Sequence, residues 1–175
     1  MIVTRKHSIE IKADFTAPNA LTPKAFTKPS SYHFPAHKWH NIFQLLGIMV
    51  VANKRVFPED MKAFLDSAIE LASVVDPSIT ITRKMTKDWF LINKDELTQM
   101  VDSLAYDTAI ISILSDIKSF PFKLDVMTCM VRIAIADGDY GDMEKMFIKK
   151  TILYWNIRAQ DTQDAILSST ISVDA

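Results

Sequence analysis

Glycine and cysteine are both scarce in this sequence. Only three glycines occur among 175 residues, whereas a β-rich fold of this size needs many glycine-containing tight turns, so a mainly β structure is disfavoured. The single cysteine, Cys129, excludes an internal disulfide framework and is typical of a reducing compartment. Because Cys129 lies within an apolar segment with helical periodicity, we expect a buried small side chain rather than a nucleophile.

Long apolar runs are also missing. No run approaches the ~18–20 residues that a membrane-spanning helix needs, and the first residues lack the apolar stretch of a secretion signal. We therefore expect a cytoplasmic protein. With 49% hydrophobic and 23% charged residues, the composition is that of one globular domain rather than a disordered chain.

The chain lacks a strong net charge, and the formal value of −1 conceals an asymmetry. Residues 1–40 carry six Lys or Arg and two acidic residues, which leaves the rest of the chain mildly acidic. The basic residues are scattered and form no stripe interleaved with aromatic residues. We therefore expect no nucleic-acid partner.

Residues 1–35 are predicted to form an extended N-terminal arm. Four of the seven prolines fall here, and the alternation of Ile9 and Ile11 predicts a short strand within residues 8–15. The arm also carries apolar and aromatic side chains, which favour docking on the body of the protein or on a second subunit of a homodimer. Residues 36–175 are predicted to form the folded domain.

Helical periodicity dominates this domain, and we predict an all-α, single-domain bundle of about seven helices. Pro58-Glu-Asp is a favourable helix start, because proline is tolerated in the first turn and acids face the positive end of the helix dipole. Thr86 is the predicted N-cap of the third helix. The predicted helices cover residues 37–52, 58–75, 87–104, 106–118, 121–136, 142–155 and 159–169.

Two helical hairpins within this bundle resemble each other, one over residues 49–65 and the other over residues 133–148. The likeness is open to two interpretations, a true internal duplication or a coincidence. In either case, packing the hairpins together would bury both apolar stripes. The alignment pairs Ala52 with Ala136, Asn53 with Asp137 and, after a one-residue gap in the first turn, Phe64 with Phe147.

The turn of the second hairpin has the sequence Ala136-Asp-Gly-Asp-Tyr-Gly-Asp-Met-Glu144. The order of features around this turn resembles the recurring signature of tellurite-resistance TerB-like domains. That signature consists of an apolar helix, Ala-Asp-Gly, a short turn, Glu and an amphipathic helix. The resemblance covers residues 121–157 and, more loosely, residues 38–75. The resemblance implies a helical bundle, a non-enzymatic role in tellurite and related stress resistance, and divalent-metal binding through clustered acids. Similar domains also form the N-terminal part of membrane-anchored J-domain co-chaperones. That implies protein partners and peripheral membrane association through a partner.

The acids of this turn are the candidate metal ligands: Asp137, Asp139, Asp142 and Glu144. Carboxylates on a tight turn supply the oxygen ligands that Ca²⁺, Mg²⁺ or Mn²⁺ prefers, although the spacing is not that of an EF-hand. Helix capping is the alternative, since a left-handed Gly138 would end the fifth helix and Gly141 as N-cap would place Glu144 at the third helical position. In the first hairpin, Asn53-Lys-Arg55 would oppose a cation.

Two further polar groups are weaker candidates. His37 and His40, three residues apart at a helix start, could share a face and chelate zinc, and His33 could join them although Pro35 interrupts the helix. Half-exposed surface positions are the alternative. A polar stripe on the fifth helix is better explained by an ion pair or hydrogen bonds between helices than by catalysis. The histidines are His33, His37 and His40, and the stripe consists of Asp125, Thr128 and Arg132.

Motifs of known catalytic machinery are absent from the sequence. There is no nucleophile elbow, phosphate-binding loop or dinucleotide fingerprint, so we do not expect an enzyme. The alternative to a TerB-like module is therefore a metal-free scaffold or dimerisation domain that uses the N-terminal arm.

Overall fold

A computed structural model describes residues 36–102 and 106–171, and within these ranges the chain forms seven α-helices and no strand. This confirms the predicted all-α class. The arm over residues 1–35, with its predicted strand, lies outside the described residues. The helices are α1 (Ala36–Val51), α2 (Pro58–Val75), α3 (Arg83–Asp102), α4 (Tyr106–Lys118), α5 (Lys123–Ala134), α6 (Asp142–Trp155) and α7 (Ala159–Ile171).

Helix α1 lies at the centre of the bundle. Every residue from Ile42 to Ala52 is buried, and the helix contacts α2, α3, α4 and α5. A helix that is apolar on all sides is expected in such a position. Gly47 lets α3 approach closely, because a Cβ atom at this position would lie 2.8 Å from Cδ1 of Leu97.

Aromatic side chains fill the core between the first three helices. Phe43 of α1 contacts Phe64 of α2 and Trp89 of α3, with ring centroids 6.1 and 5.3 Å apart. Edge-to-face contacts of this kind stabilise a core beyond the area they bury. At the other end of the bundle, Trp155 of α6 donates its Nε1–H to the carbonyl of Leu114 in α4 at 2.9 Å. Among the described helices, none is long and apolar enough to cross a membrane.

Several helix boundaries differ from the prediction, most of all those of α3 and α5. Helix α3 begins at Arg83, because Thr82 rather than Thr86 caps it, and the Thr82 hydroxyl oxygen accepts the Met85 N–H at 3.2 Å. Thr86 is buried inside the helix. Helix α5 is two residues shorter at each end than predicted. At its end the chain tightens into a turn, where the Ala136 N–H reaches the Ile133 carbonyl at 3.1 Å.

Candidate functional site

The turn between α1 and α2 and the turn between α5 and α6 each contain a residue with a left-handed backbone conformation. Lys54 in the first turn has a φ of 61°, and Gly138 in the second has a φ of 80°. Both values are left-handed, which ends a helix readily when the residue is glycine and costs roughly 1 kcal/mol or more when it is not. Gly138 is left-handed as predicted, but it does not end α5, because that helix ends at Ala134, four residues earlier. Lys54 adopts the same left-handed conformation against its steric preference.

Helix-end chemistry accounts for much of the second turn. The Asp137 Oδ1 accepts the backbone N–H of Asp139 at 2.9 Å, which closes a local turn. Gly141 is the N-cap of α6, and its N–H donates to Oε2 of Glu144 at 2.8 Å. The predicted capping arrangement of Gly141 and Glu144 is thus confirmed.

Glu144 is buried, with 1% of its surface exposed, and it connects the two turns. Burial raises its pKa, and hydrogen bonds from the Gly141 backbone and the Asn53 side chain act in the opposite direction. Asn53 belongs to the first turn, so its side-chain amide donates across to the second. A side chain at position 141 would overlap this amide. Glycine is therefore required there as long as Asn53 keeps its bond to Glu144.

Asp60 occupies the same position in α2 that Glu144 occupies in α6, the third residue of the helix. Its side chain is 2% exposed, yet its Oδ1 atom has no hydrogen-bond partner. Burial, together with the negative charges of Asp137 and Glu144, raises the pKa of Asp60 to about 7. A hydrogen bond from the Phe57 backbone lowers it in part. This buried oxygen is the feature of the site that helix capping does not explain.

Asp60 was not predicted as a site residue, because the acids of Pro58-Glu-Asp were interpreted only as partners of the helix dipole. A signal for it was present. Without the one-residue gap, the alignment of the hairpins is continuous and pairs residues with matching structure. The pairs are Asn53 with Asp137, Lys54 with Gly138, Asp60 with Glu144, and the buried Ser67 with the buried Thr151.

The four acids predicted as ligands do not form one cluster. Glu144 is buried and Asp137 is half-buried, whereas Asp139 is exposed. Asp142 is fully exposed and lies 3.7 Å from Lys145. Among the described residues, no group of three or more His, Cys, Asp or Glu side chains is arranged to hold a metal ion.

The positive charge predicted to oppose a cation in the first turn has a partner of its own. The Lys54 ammonium lies 2.7 Å from the carboxylate of Asp102 at the end of α3. Its charge is therefore balanced by Asp102. Arg55 is exposed. Asn53 is the residue of this segment that faces the acids.

The histidine prediction is wrong for His40. Its side chain is 6% exposed and packs edge-on against Trp89, with ring centroids 5.9 Å apart. His40 is therefore part of the contact between α1 and α3 rather than a half-exposed surface residue. His33 and the side chain of His37 lie outside the described residues.

The polar stripe of α5 contributes to an interhelical ion pair, as predicted. Arg132 binds the carboxylate of Glu70 in α2, beside a cavity of about 290 Å³ that Asp125 and Thr128 also line. Cys129 is buried there, and burial raises the pKa of its thiol to about 12. A thiol with so high a pKa is not ionised at neutral pH, which confirms its predicted structural role.

The two turns therefore bring together two buried carboxyl groups, a half-buried third one and a bridging amide. This set offers oxygen ligands and a proton-binding position. No protein-family model matches the sequence, and no curated protein or solved structure is significantly similar to it.

Proposed function

We propose that the protein is a non-enzymatic, TerB-like module of the cytoplasmic stress response, in which the two turns hold a divalent cation. The proposed ligands are Asp60, Asp137 and Glu144, and the proposed ions are Ca²⁺, Mg²⁺ and Mn²⁺. Asp60 carries this proposal, because its buried Oδ1 has no hydrogen-bond partner and faces two further negative charges.

Electrostatics favour a positive charge at this position. Burying a carboxylate without compensation is costly, and like charges nearby increase the cost. Either a proton or a metal ion can relieve it. With a pKa of about 7, Asp60 holds a proton in the metal-free protein below that pH. A cation would compete with this proton and bind more tightly as the pH rises.

The donor chemistry selects the class of ion. Carboxylate and amide oxygens are the ligands of hard cations, whereas zinc prefers nitrogen and sulfur ligands. Since no group of three His, Cys, Asp or Glu side chains among the described residues is arranged to hold a metal ion, no more than two of these acids would bind the ion directly, and water would supply the remaining ligands. We therefore expect modest affinity, with a dissociation constant of about 0.1–1 mM, as in weak carboxylate sites.

Calorimetric titration of EDTA-treated, full-length protein with each ion at pH 7.5 tests this proposal. We expect binding that Asp60→Asn removes. The matched control is Asp142→Asn, which changes an exposed acid of the same region and should leave the affinity unchanged. Absence of binding by all three ions up to several times the expected dissociation constant, or an Asp60→Asn variant that binds as the wild type does, would overturn the cation proposal.

A metal-free scaffold is the second candidate function. The hydrogen bonds from Gly141 and Asn53 to Glu144 support it, because they stabilise the second turn without an ion. In this case a proton on Asp60 completes the site, and the N-terminal arm mediates dimerisation. Light scattering of a variant lacking residues 1–34 tests that role, since an unchanged mass contradicts it.

A further inference from the structure

An apolar groove lies between α4 and α6, away from the two turns. It has a volume of about 340 Å³ and is lined by Ile111 and Leu114 of α4 and by Lys150, Leu153 and Tyr154 of α6. Leu153 is 70% exposed and Ile111 is 47% exposed. Each wall of the groove therefore carries an exposed apolar side chain.

The groove is held open by contacts beneath and beside it. Leu114 forms its floor and is 1% exposed. The carbonyl of the same residue accepts the Trp155 indole N–H, which ties α6 to α4. At one end, the Lys118 ammonium lies 4.9 Å from the centre of the Tyr154 ring. These contacts hold both walls in place, so the groove does not need to be formed by its ligand.

Three lysines lie at or near the groove, and one of them, Lys150, lines it. Lys118 lies at the end of α4, and Lys149 and Lys150 lie in α6 one turn before Leu153. Asp116, which lies two residues before Lys118 on α4, accepts a hydrogen bond from the side chain of Asn41 in α1 at 3.0 Å. The groove therefore combines an apolar floor with a positively charged rim.

We propose that this groove binds an amphipathic helix of a partner protein, with leucine-like side chains on one face and acidic residues beside them. Helix-in-groove recognition uses apolar anchors at helical spacing, and acidic residues would match the lysine rim.

The other occupants fit this surface less well. The N-terminal arm is itself basic, and an isologous contact with a second copy would bring lysines against lysines. A concave groove between two helices also offers little flat apolar surface to a lipid bilayer.

A synthetic peptide of about 15 residues, with leucines at helical spacing and glutamates beside them, serves as the probe. We expect labelled peptide to bind full-length protein in fluorescence anisotropy and to perturb NMR signals of α4 and α6. Leu153→Asp should weaken binding about tenfold or more. The matched control is Leu91→Asp on α3, a residue exposed to 59%, which should leave the affinity unchanged. Circular dichroism verifies that both variants are folded.

Charge reversal provides a second, independent test. Lys149→Glu should weaken binding of the acidic peptide and strengthen binding of a peptide in which lysine replaces each glutamate. Equal affinity of the wild type for the two peptides would overturn the proposal. So would a Leu153→Asp variant that binds the acidic peptide as tightly as the wild type does. Binding to anionic phospholipid vesicles that Leu153→Asp abolishes, without peptide binding, would assign the groove to a membrane. A dimer that Leu153→Asp dissociates would assign it to a second copy, and tighter peptide binding after deletion of residues 1–34 would assign it to the arm.

Discussion

The two turns have the same local design and differ in how their buried acid is satisfied. Each has a left-handed residue, Lys54 or Gly138, and each leads to a buried carboxylate at the third position of the next helix. Glu144 accepts hydrogen bonds from Gly141 and Asn53, whereas Asp60 keeps one oxygen without a partner.

This difference shows that helix capping explains the burial of Glu144 but not that of Asp60. Capping satisfies backbone N–H groups at a helix start and is fully sufficient for Glu144. At Asp60 the same geometry leaves a buried, unsatisfied oxygen close to other negative charges, which is destabilising unless a proton or cation is present. Of the two buried acids, Asp60 is therefore the one at which a bound cation would change stability more.

The largest expected effect comes from removing the satisfied acid. Glu144→Ala should lower the free energy of unfolding by about 2 kcal/mol at pH 6, because the Gly141 N–H and the Asn53 amide lose a buried acceptor. Chemical denaturation measures this. Asp142→Ala is the control, and its fully exposed side chain should make its effect much smaller. If both variants lost equal stability, Glu144 would not be the acid that holds the turns together.

Replacing the other buried acid, Asp60, should raise the free energy of unfolding instead of lowering it. Asp60→Asn should raise the free energy of unfolding of the metal-free protein by about 1 kcal/mol or more at pH 8, because it removes a buried charge without changing the shape. The measurement is denaturation in EDTA over a range of pH.

The pH dependence of this gain follows from the raised pKa of Asp60. The folded protein holds the proton up to about pH 7, whereas the unfolded chain releases it near 3.8. The cost of burying Asp60 is therefore absent below 3.8, grows as the pH rises and is complete above about 7. The advantage of Asp60→Asn should shrink as the pH falls. A gain that is the same at pH 5 and pH 8 would contradict the raised pKa.

The smallest expected effects concern the left-handed residues. Gly138→Ala should destabilise the protein by about 1 kcal/mol, entirely through the backbone, since a Cβ atom there would meet no other atom within 4 Å. Lys54→Gly relieves the same strain, but it also removes the ion pair with Asp102. We expect it to stabilise the protein by less than about 1 kcal/mol. Asp102→Asn measures the ion pair alone and serves as the control. If Lys54→Gly destabilised the protein by more than Asp102→Asn does, the left-handed conformation would not be costly.

The fold was largely predictable from the sequence. Apolar residues at helical spacing located the helices, and Pro58 and Gly141 indicated where α2 and α6 begin. The start of α3 was misplaced because only Thr86 was considered as its N-cap, whereas Thr82 has that role. Either Thr82 or Thr86 can cap a helix, and only the backbone geometry around them decides which one does.

Much less of the site was predictable. Asp60 resembles an ordinary exposed acid at a helix start, since local sequence carries no information about burial by a segment that is distant along the chain. His40 was misjudged for the same reason, because the burial of its ring depends on Trp89 of α3. The capping role of Glu144 was predictable because both partners lie within one turn of helix. Its bond to Asn53, which joins the two halves of the site, was not.

Whether Asp60 is a cation ligand can be measured by thermal unfolding of the wild type and of Asp60→Asn at pH 8, in EDTA and then in excess Mg²⁺, Ca²⁺ or Mn²⁺. We expect at least one ion to raise the unfolding midpoint of the wild type. Asp60→Asn should be more stable than the wild type in EDTA and should gain nothing from any of the three ions. An ion that shifts both proteins equally, or no shift of the wild type with any ion, would contradict the claim that the buried Asp60 carboxylate is a cation ligand.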